Sequence, residues 1–151
     1  MKTEITLFRT TRQNTHTFIK QLSLEQVNHI PDGFTGNIAW HLGHMVVTHK
    51  GLVYQLSGLQ SEFDKDFVSR FKKGSVPQTP ISQEELDFLA NSLLTQVDEL
   101  EKDLENKVFG TTTAYKTSYN FEITTTEEAV KFNNLHQALH LGYMMALKRS
   151  I

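Results

Sequence analysis

The sequence predicts an all-α protein in which four helices form a bundle, as one domain that spans residues 1–151. Four segments carry apolar residues at helical spacing, and each is long enough to be a bundle helix. Glycine or proline lies in every connection between these segments. With 151 residues, of which 38% are hydrophobic, the chain can bury one core of this kind.

The first predicted helix covers about residues 4–22. Its apolar face repeats near a period of 3.6 and is formed by Ile5, Phe8, Thr15, Phe18, Ile19 and Leu22. A turn with Pro31, Asp32 and Gly33 follows the helix.

The second predicted helix covers about residues 37–57, with Thr35 or Asn37 as its N-cap. Lys50 is its one formal charge, which is unusual for a helix of this length. Gly58 is expected to end it, because glycine adopts the left-handed conformation that commonly follows a helix.

The third predicted helix covers about residues 83–104, and Ser82 with Glu85 forms a capping box at its start. Its apolar residues keep heptad spacing, as in a bundle helix: Leu86, Leu89, Leu93, Val97, Leu100 and Leu104. The fourth covers about residues 126–148 and begins at one of two capping boxes, Thr124 with Glu127 or Thr125 with Glu128.

Two connections are long. Residues 59–81 contain Gly74, Pro77 and Pro80, so they cannot form one helix. Their length allows a crossover from one end of the bundle to the other between the second and third helices. Residues 109–125 are rich in threonine and aromatic residues, and we expect a short hairpin or an ordered loop there.

Composition excludes several classes of function. A formal charge of −2 argues against a nucleic-acid surface, which would need a basic excess. The absence of cysteine excludes disulfides, thiolate ligands and a cysteine nucleophile. The first ten residues lack the apolar run of a signal peptide, and no stretch approaches the ~20 apolar residues of a membrane span. The expected location is therefore the cytoplasm, with no membrane partner.

Two histidines on the fourth helix suggest a metal site. His136 and His140 are four residues apart, so both rings lie on one face of the helix. Two imidazoles in this arrangement can bind one ion at about 2.0–2.1 Å per bond. Spaced pairs of this kind are common, and the pair alone is a weak signal.

The second helix strengthens this interpretation. An uncharged stripe of polar and small residues runs along it, consisting of Asn37, His41, His44, Thr48, Gly51 and Gln55. The stripe is either the solvent face of the helix or the lining of a polar cavity inside the bundle. A solvent face usually carries lysine and glutamate, which this stripe lacks.

The fourth helix has a matching stripe with Asn133, His136, His140 and Tyr143. If the two stripes face each other, His44 joins His136 and His140 around one divalent ion, and the remaining position stays open to water or substrate. His41 could be a fourth ligand, a group that contacts a ligand from outside, or a residue at the mouth of the pocket.

The other histidines have no such context. His16, His29 and His49 are expected to be surface or packing residues. Asn133, Tyr143, Thr48 and Gln55 are candidates for orienting a ligand or a substrate.

Residues 37–44 (NIAWHLGH) resemble the second-helix motif of the DinB-like superfamily, and residues 133–143 (NNLHQALHLGY) resemble its last-helix HxxxH motif. Length and helix order also agree, so the resemblance spans nearly the whole chain. It implies a bundle with a long crossover, a site for nickel or zinc made of His44, His136 and His140, and frequent homodimers. Superfamily members often lack a histidine at the position of His41.

Three functions follow from these features. The first is a metal-dependent enzyme for a small molecule, either a transferase that uses a low-molecular-weight thiol, as in known relatives, or a hydrolase. His41, Tyr143 and Gln55 would orient the substrate or move a proton. The second is a non-catalytic, stress-related metal-binding homodimer, since the fourth helix is apolar on several sides. The third is a metal-free bundle in which the histidines only pack.

Overall fold

A computed structural model describes residues 1–151, and most of the chain is helical. The helices are α1 (Lys2–Ile19), α2 (Leu24–Asn28), α3 (Ile38–His49), α4 (Lys65–Phe71), α5 (Gln83–Glu105) and α6 (Thr126–Leu147). Between α5 and α6, strands β1 (Tyr115–Lys116) and β2 (Glu122–Ile123) form an antiparallel hairpin. No helix is both long enough and apolar enough to cross a membrane.

The four predicted helices are all present and contact one another in a ring. Helix α1 contacts α5 and α6, and α3 contacts the same two helices. The predicted apolar faces point into the space between them, where Phe8 of α1 and Leu89, Leu93 and Leu100 of α5 are fully buried. Burial of these side chains is the main source of the stability of such an arrangement.

The helical run that starts with α3 begins and ends where local chemistry predicts. The Asn37 side chain accepts a hydrogen bond from the backbone N–H of Trp40 at 2.9 Å, so Asn37 and not Thr35 is the N-cap. After His49 the chain continues through a π-helical turn (Lys50–Tyr54) and a 3-10 turn (Gln55–Ser57). Gly58, with φ of +76°, ends this run in the left-handed conformation.

The caps of the last two long helices differ from each other. At α6 the box is Thr125 with Glu128, and both of its hydrogen bonds are present. At α5 only half of the predicted box forms. Ser82 accepts from the backbone N–H of Glu85, but the Glu85 carboxylate pairs with Arg70 of α4 at 2.6 Å instead of returning to the cap. A tertiary ion pair has replaced a local hydrogen bond.

Two short helices were not predicted from the sequence. Helix α2 lies in the turn after α1, and α4 lies inside the predicted crossover. Helices of five and seven residues are too short to show a hydrophobic period. Helix α1 also ends three residues before the predicted boundary. As predicted, the connection between α3 and α5 is not one helix, and it contains a short helix that contacts α3.

A buried polar cluster connects all four long helices beside the histidine site. Arg12 of α1 is fully buried and donates hydrogen bonds to the side-chain oxygens of Gln96 and Gln137 and to the carbonyl of Met45. No carboxylate faces this guanidinium, and burial lowers the pKa of Arg12 to about 9. The amide oxygens therefore solvate the arginine in place of water.

Candidate metal centre

Three imidazoles from two helices converge on one point. Nε2 of His136 lies 3.1 Å from Nε2 of His44 and 3.1 Å from Nε2 of His140. The candidate ligand atoms of the three residues all lie within 4.8 Å of one another. His44 is buried, and the other two are partly buried. The stripes of α3 and α6 therefore face each other.

The orientation of His44 is set by a backbone group outside its own helix. Nδ1 of His44 lies 2.6 Å from the carbonyl oxygen of Phe71, at the end of α4. A carbonyl can only accept, so Nδ1 carries the hydrogen, and Nε2 of the neutral ring presents a lone pair to the other two histidines. The indole of Trp40 stacks on the same ring at 4.8 Å between centroids.

His41 contacts His140 from outside the cluster. Nδ1 of His41 lies 2.8 Å from Nδ1 of His140, so one of these nitrogens donates to the other. When His140 donates, its Nε2 is free of hydrogen and faces His136. His41 is not among the three converging side chains, and the aromatic ring of Tyr143 packs on it at 4.6 Å between centroids.

Burial keeps these imidazoles neutral. Desolvation lowers the pKa of His136 to about 3, and the proximity of His44 and Arg12 adds to the effect. Desolvation likewise lowers the pKa of His140 to about 2 and of His41 to about 4, and it also lowers the pKa of His44. Neutral imidazoles are the form that binds metal, so no proton has to be displaced from these residues at neutral pH.

The geometry fits a divalent ion. Three nitrogens bound to one tetrahedral ion at about 2.0–2.1 Å would lie roughly 3.3 Å apart, close to the two separations of 3.1 Å observed here. Hydrogen bonding alone satisfies the cluster poorly, because Nε2 of His44 is an acceptor and Nε2 of His136 carries at most one hydrogen, which it can donate to only one of its two neighbours at 3.1 Å. The three side chains can therefore hold an ion, as the facing stripes predicted.

A cavity of about 390 Å³ opens beside this cluster. His44 and His136 lie at one side of it, and His140, His41 and Tyr143 do not line it. Its walls come from the end of α3 and the turns after it, from α6, from the connection between α3 and α5 and from the β-hairpin. Thr48, Gly51 and Gln55 of the predicted stripe all line the cavity, which supports the cavity interpretation over the solvent face.

The remaining candidate residues lie in three different places relative to the histidine cluster. Gln55 is exposed at the cavity wall, and Tyr143 is 44% exposed on the other side of the cluster, beside His41. Asn133 does not face the site, since it is buried against His49, with Nδ2 2.9 Å from Nδ1 of that ring. The predicted orienting role of Asn133 is therefore not supported by its position.

The three histidines without a predicted role lie outside the cluster. His49 is fully buried in the core, His16 is partly buried and His29 is exposed. All three agree with the prediction of surface or packing residues. Sequence patterns do not predict the hydrogen bond between Nδ1 of His44 and the carbonyl oxygen of Phe71, because every residue has a backbone carbonyl.

Gly43 lets α4 approach α3 closely beside His44. A Cβ atom at Gly43 would lie 2.3 Å from Cδ1 of Phe71, a buried ring that cannot move aside easily. We expect Gly43→Ala to lower the free energy of unfolding by about 1–3 kcal/mol through overpacking, partly offset by about 1 kcal/mol of helix propensity. The variant should also bind metal more weakly, because Phe71 carries the carbonyl that orients His44.

Gly51→Ala is the matched control on the same run of helix. A Cβ atom there would meet only the flexible end of Gln55, at an ordinary distance of 3.7 Å. Urea unfolding and metal titration of both variants provide the comparison. Equal stability and equal metal affinity of the two variants would contradict the packing of α4 described above.

Comparison with known proteins agrees with the geometry of the site. A family model described as the DinB superfamily matches residues 7–144, which include both histidine motifs. No curated protein matches the chain in sequence comparison. The resemblance seen in the two helix motifs is thus confirmed over most of the length, and the chain belongs to the DinB superfamily.

Proposed function

We propose that this protein is a metal-dependent enzyme that acts on a small molecule, with His44, His136 and His140 as the ligands of one divalent ion. The convergence of three neutral imidazoles beside a cavity carries this proposal. Three protein ligands leave a position for substrate or water, which is typical of catalytic rather than structural sites. Nickel and zinc are the proposed ions, because both suit imidazole ligands and the superfamily resemblance implies them.

We also propose that the architecture is a four-helix bundle of the DinB-like type. Helices α1, α3, α5 and α6 would form the bundle, and α4 would lie in the crossover between α3 and α5. The ring of contacts between these helices supports it. We propose the cytoplasm as the location, where small thiols are kept reduced.

When bound, the ion would lower the pKa of a coordinated thiol or water and supply a nucleophile near neutral pH. His41 would keep His140 in the tautomer whose Nε2 faces the site. Thr48, with its hydroxyl 3.3 Å from Nε2 of His44, and Gln55 at the cavity wall would orient the substrate. Tyr143 lies on the side of the histidine cluster away from the cavity, where its ring contacts His41, and from there it would orient the substrate or move a proton.

The cavity favours a thiol over a hydrolytic water. No aspartate or glutamate lines it, so the chain offers no carboxylate as a general base there. A thiol substrate would not need a general base, because a metal-bound thiol loses its proton outright. The chain has no cysteine, so the thiol must come from a second substrate.

The test is thiol transfer to an electrophile such as monochlorobimane. Protein loaded with nickel or zinc should accelerate the reaction for at least one of several low-molecular-weight thiols, and the rate should fall to background after chelation and return when metal is restored. His44→Ala should show no acceleration. Equal rates with loaded and metal-free protein would contradict a metal-dependent transferase.

The outer face of α6 favours a second proposal, a homodimer, which could also exist without catalysis. Leu135, Leu139 and Met145 are 53%, 51% and 54% exposed, and residues 132–147 contain no charged residue. An uncharged apolar helix face of this kind is normally covered. A second copy of the same face would cover it in a symmetric dimer.

Leu139→Lys should therefore convert a dimer into a monomer, because the symmetric interface would have to bury two lysine charges without partners. Sedimentation velocity measures the change. Leu7→Lys on α1 is the control, since Leu7 is 55% exposed but lies on another helix. A wild-type protein that is monomeric at high concentration would contradict the dimer and leave the enzyme proposal untouched.

A further inference from the structure

The cavity beside the histidine cluster has a strong asymmetry of charge. Lys72 and Lys73 line it, and none of the 17 acidic residues of the chain does. Neither lysine takes part in an ion pair, whereas Lys20, Lys50 and Lys131 each have a carboxylate partner. The cavity is thus locally cationic in a protein of net charge −2. Clefts lined by one sign of charge attract ligands of the opposite sign.

The two lysines are anchored close to the candidate ligands by the chain itself. They directly follow Phe71, the residue whose carbonyl oxygen accepts from Nδ1 of His44. The backbone N–H of Lys72 bonds to the carbonyl of Val68 at 2.9 Å, and Ser75 closes the turn by bonding to the carbonyl of Lys72 at 2.8 Å. The backbone at the lysines is therefore held in place, and only their side chains need to order around a ligand.

The other walls of the cavity suit a molecule with an apolar middle. Leu52, Leu56, Val68 and Phe132 supply apolar surface, and the threonine and serine side chains of the hairpin supply neutral hydrogen-bonding groups. A volume of about 390 Å³ lies in the range of small-molecule sites.

We infer that the cavity takes a small anionic molecule, whose carboxylate or phosphate group is bound by Lys72 and Lys73 while its reactive end reaches His44 and His136. This inference rests on the proposed function, because it assigns the substrate class of the same site. It assigns to the two lysines a role in specificity and none in the chemical step. The bound anion would exchange some hydration for charge-assisted hydrogen bonds from two ammonium groups.

The test compares two thiols of equal chain length, 6-mercaptohexanoate and 6-mercapto-1-hexanol. Both are titrated into protein loaded with Co²⁺, in which a bound thiolate gives a charge-transfer absorption band. The carboxylate thiol should bind about tenfold more tightly at low salt, and added salt should reduce the difference. Competition by succinate or by inorganic phosphate then identifies which anionic group the lysines prefer.

The double variant Lys72→Gln/Lys73→Gln should bind the two thiols about equally. Lys2→Gln/Lys102→Gln is the matched control, because it removes the same charge from lysines that neither line the cavity nor form ion pairs. Circular dichroism checks the fold of both proteins. Equal affinities in the wild type, or a preference that survives in Lys72→Gln/Lys73→Gln, would overturn the inference. Absence of the absorption band with both thiols would instead contradict the proposed function.

Discussion

Replacement of His136 by alanine is expected to abolish specific metal binding. Nε2 of His136 lies 3.1 Å from Nε2 of both His44 and His140, so it is the central member of the cluster. Without it, two imidazoles remain, and the affinity should fall by more than the roughly 10- to 100-fold that loss of an outer partner costs. Metal content of untagged protein and competition with a chromophoric chelator measure the loss.

A graded series makes this prediction sharper. His44→Ala and His140→Ala should behave like His136→Ala. His41→Phe should cost only about 10- to 100-fold, because it removes the hydrogen-bond partner of His140 and no ligand. His16→Ala should have no effect, since His16 lies outside the cluster. If His41→Phe loses as much metal as His136→Ala, then His41 is itself a ligand and the three-histidine assignment is wrong.

The metal-free protein is expected to lose stability steeply as the pH falls below about 6.5. Five histidines have a lowered pKa in the folded state: His41, His44, His49, His136 and His140. Between the folded and the unfolded pKa, the unfolded chain binds more protons, so the free energy of unfolding rises with pH. Each histidine contributes up to about 1.4 kcal/mol per pH unit in that window, and several together approach the whole stability of a domain.

Urea unfolding at a series of pH values between about 7.5 and 5 measures this slope. His49→Gln should flatten it, because the pKa of the fully buried His49 is held well below its usual value by desolvation, with Arg12 and Lys50 adding to the effect. His16→Gln on α1 serves as the control. A free energy of unfolding that stays constant over this range would contradict the burial of neutral histidines in the folded state.

Helix positions were predictable because their causes are local. The leucine repeat of α5 and the capping residues act within a few residues. The structure keeps the repeat, and of the two alternatives predicted at each cap it selects Asn37 over Thr35 and Thr125 over Thr124. The exception is Glu85, whose carboxylate forms an ion pair with Arg70 instead of the predicted capping hydrogen bond. Arg70 lies 15 positions earlier and belongs to another helix. Local rules do not contain such competition.

The sequence predicted His44, His136 and His140 as a set on two grounds. Helical spacing puts the members of each stripe on one face, and the resemblance to the DinB-like motif selects His44 rather than His41 as the ligand on the second helix. Whether those faces meet is a tertiary question, and the stripe of α3 was equally consistent with solvent. The structure decides it, since four of the six stripe residues line a cavity and Nε2 of His136 lies 3.1 Å from Nε2 of both His44 and His140. The structure also shows that Asn133 lies away from the site, where its side chain makes a buried contact with His49.

Read alone, the amino-acid sequence determined the helical class and the bounds of the long helices to within a few residues. Spacing along two of those helices also indicated four candidate histidines, His41, His44, His136 and His140. Only the tertiary structure decided what surrounds those histidines. The carbonyl of Phe71, the partner of His140 and the lysines at the cavity come from segments 27 to 99 residues away in sequence or from a crossover without periodicity. Spacing within a helix is a property of the chain, whereas contact between distant segments depends on how the whole core packs.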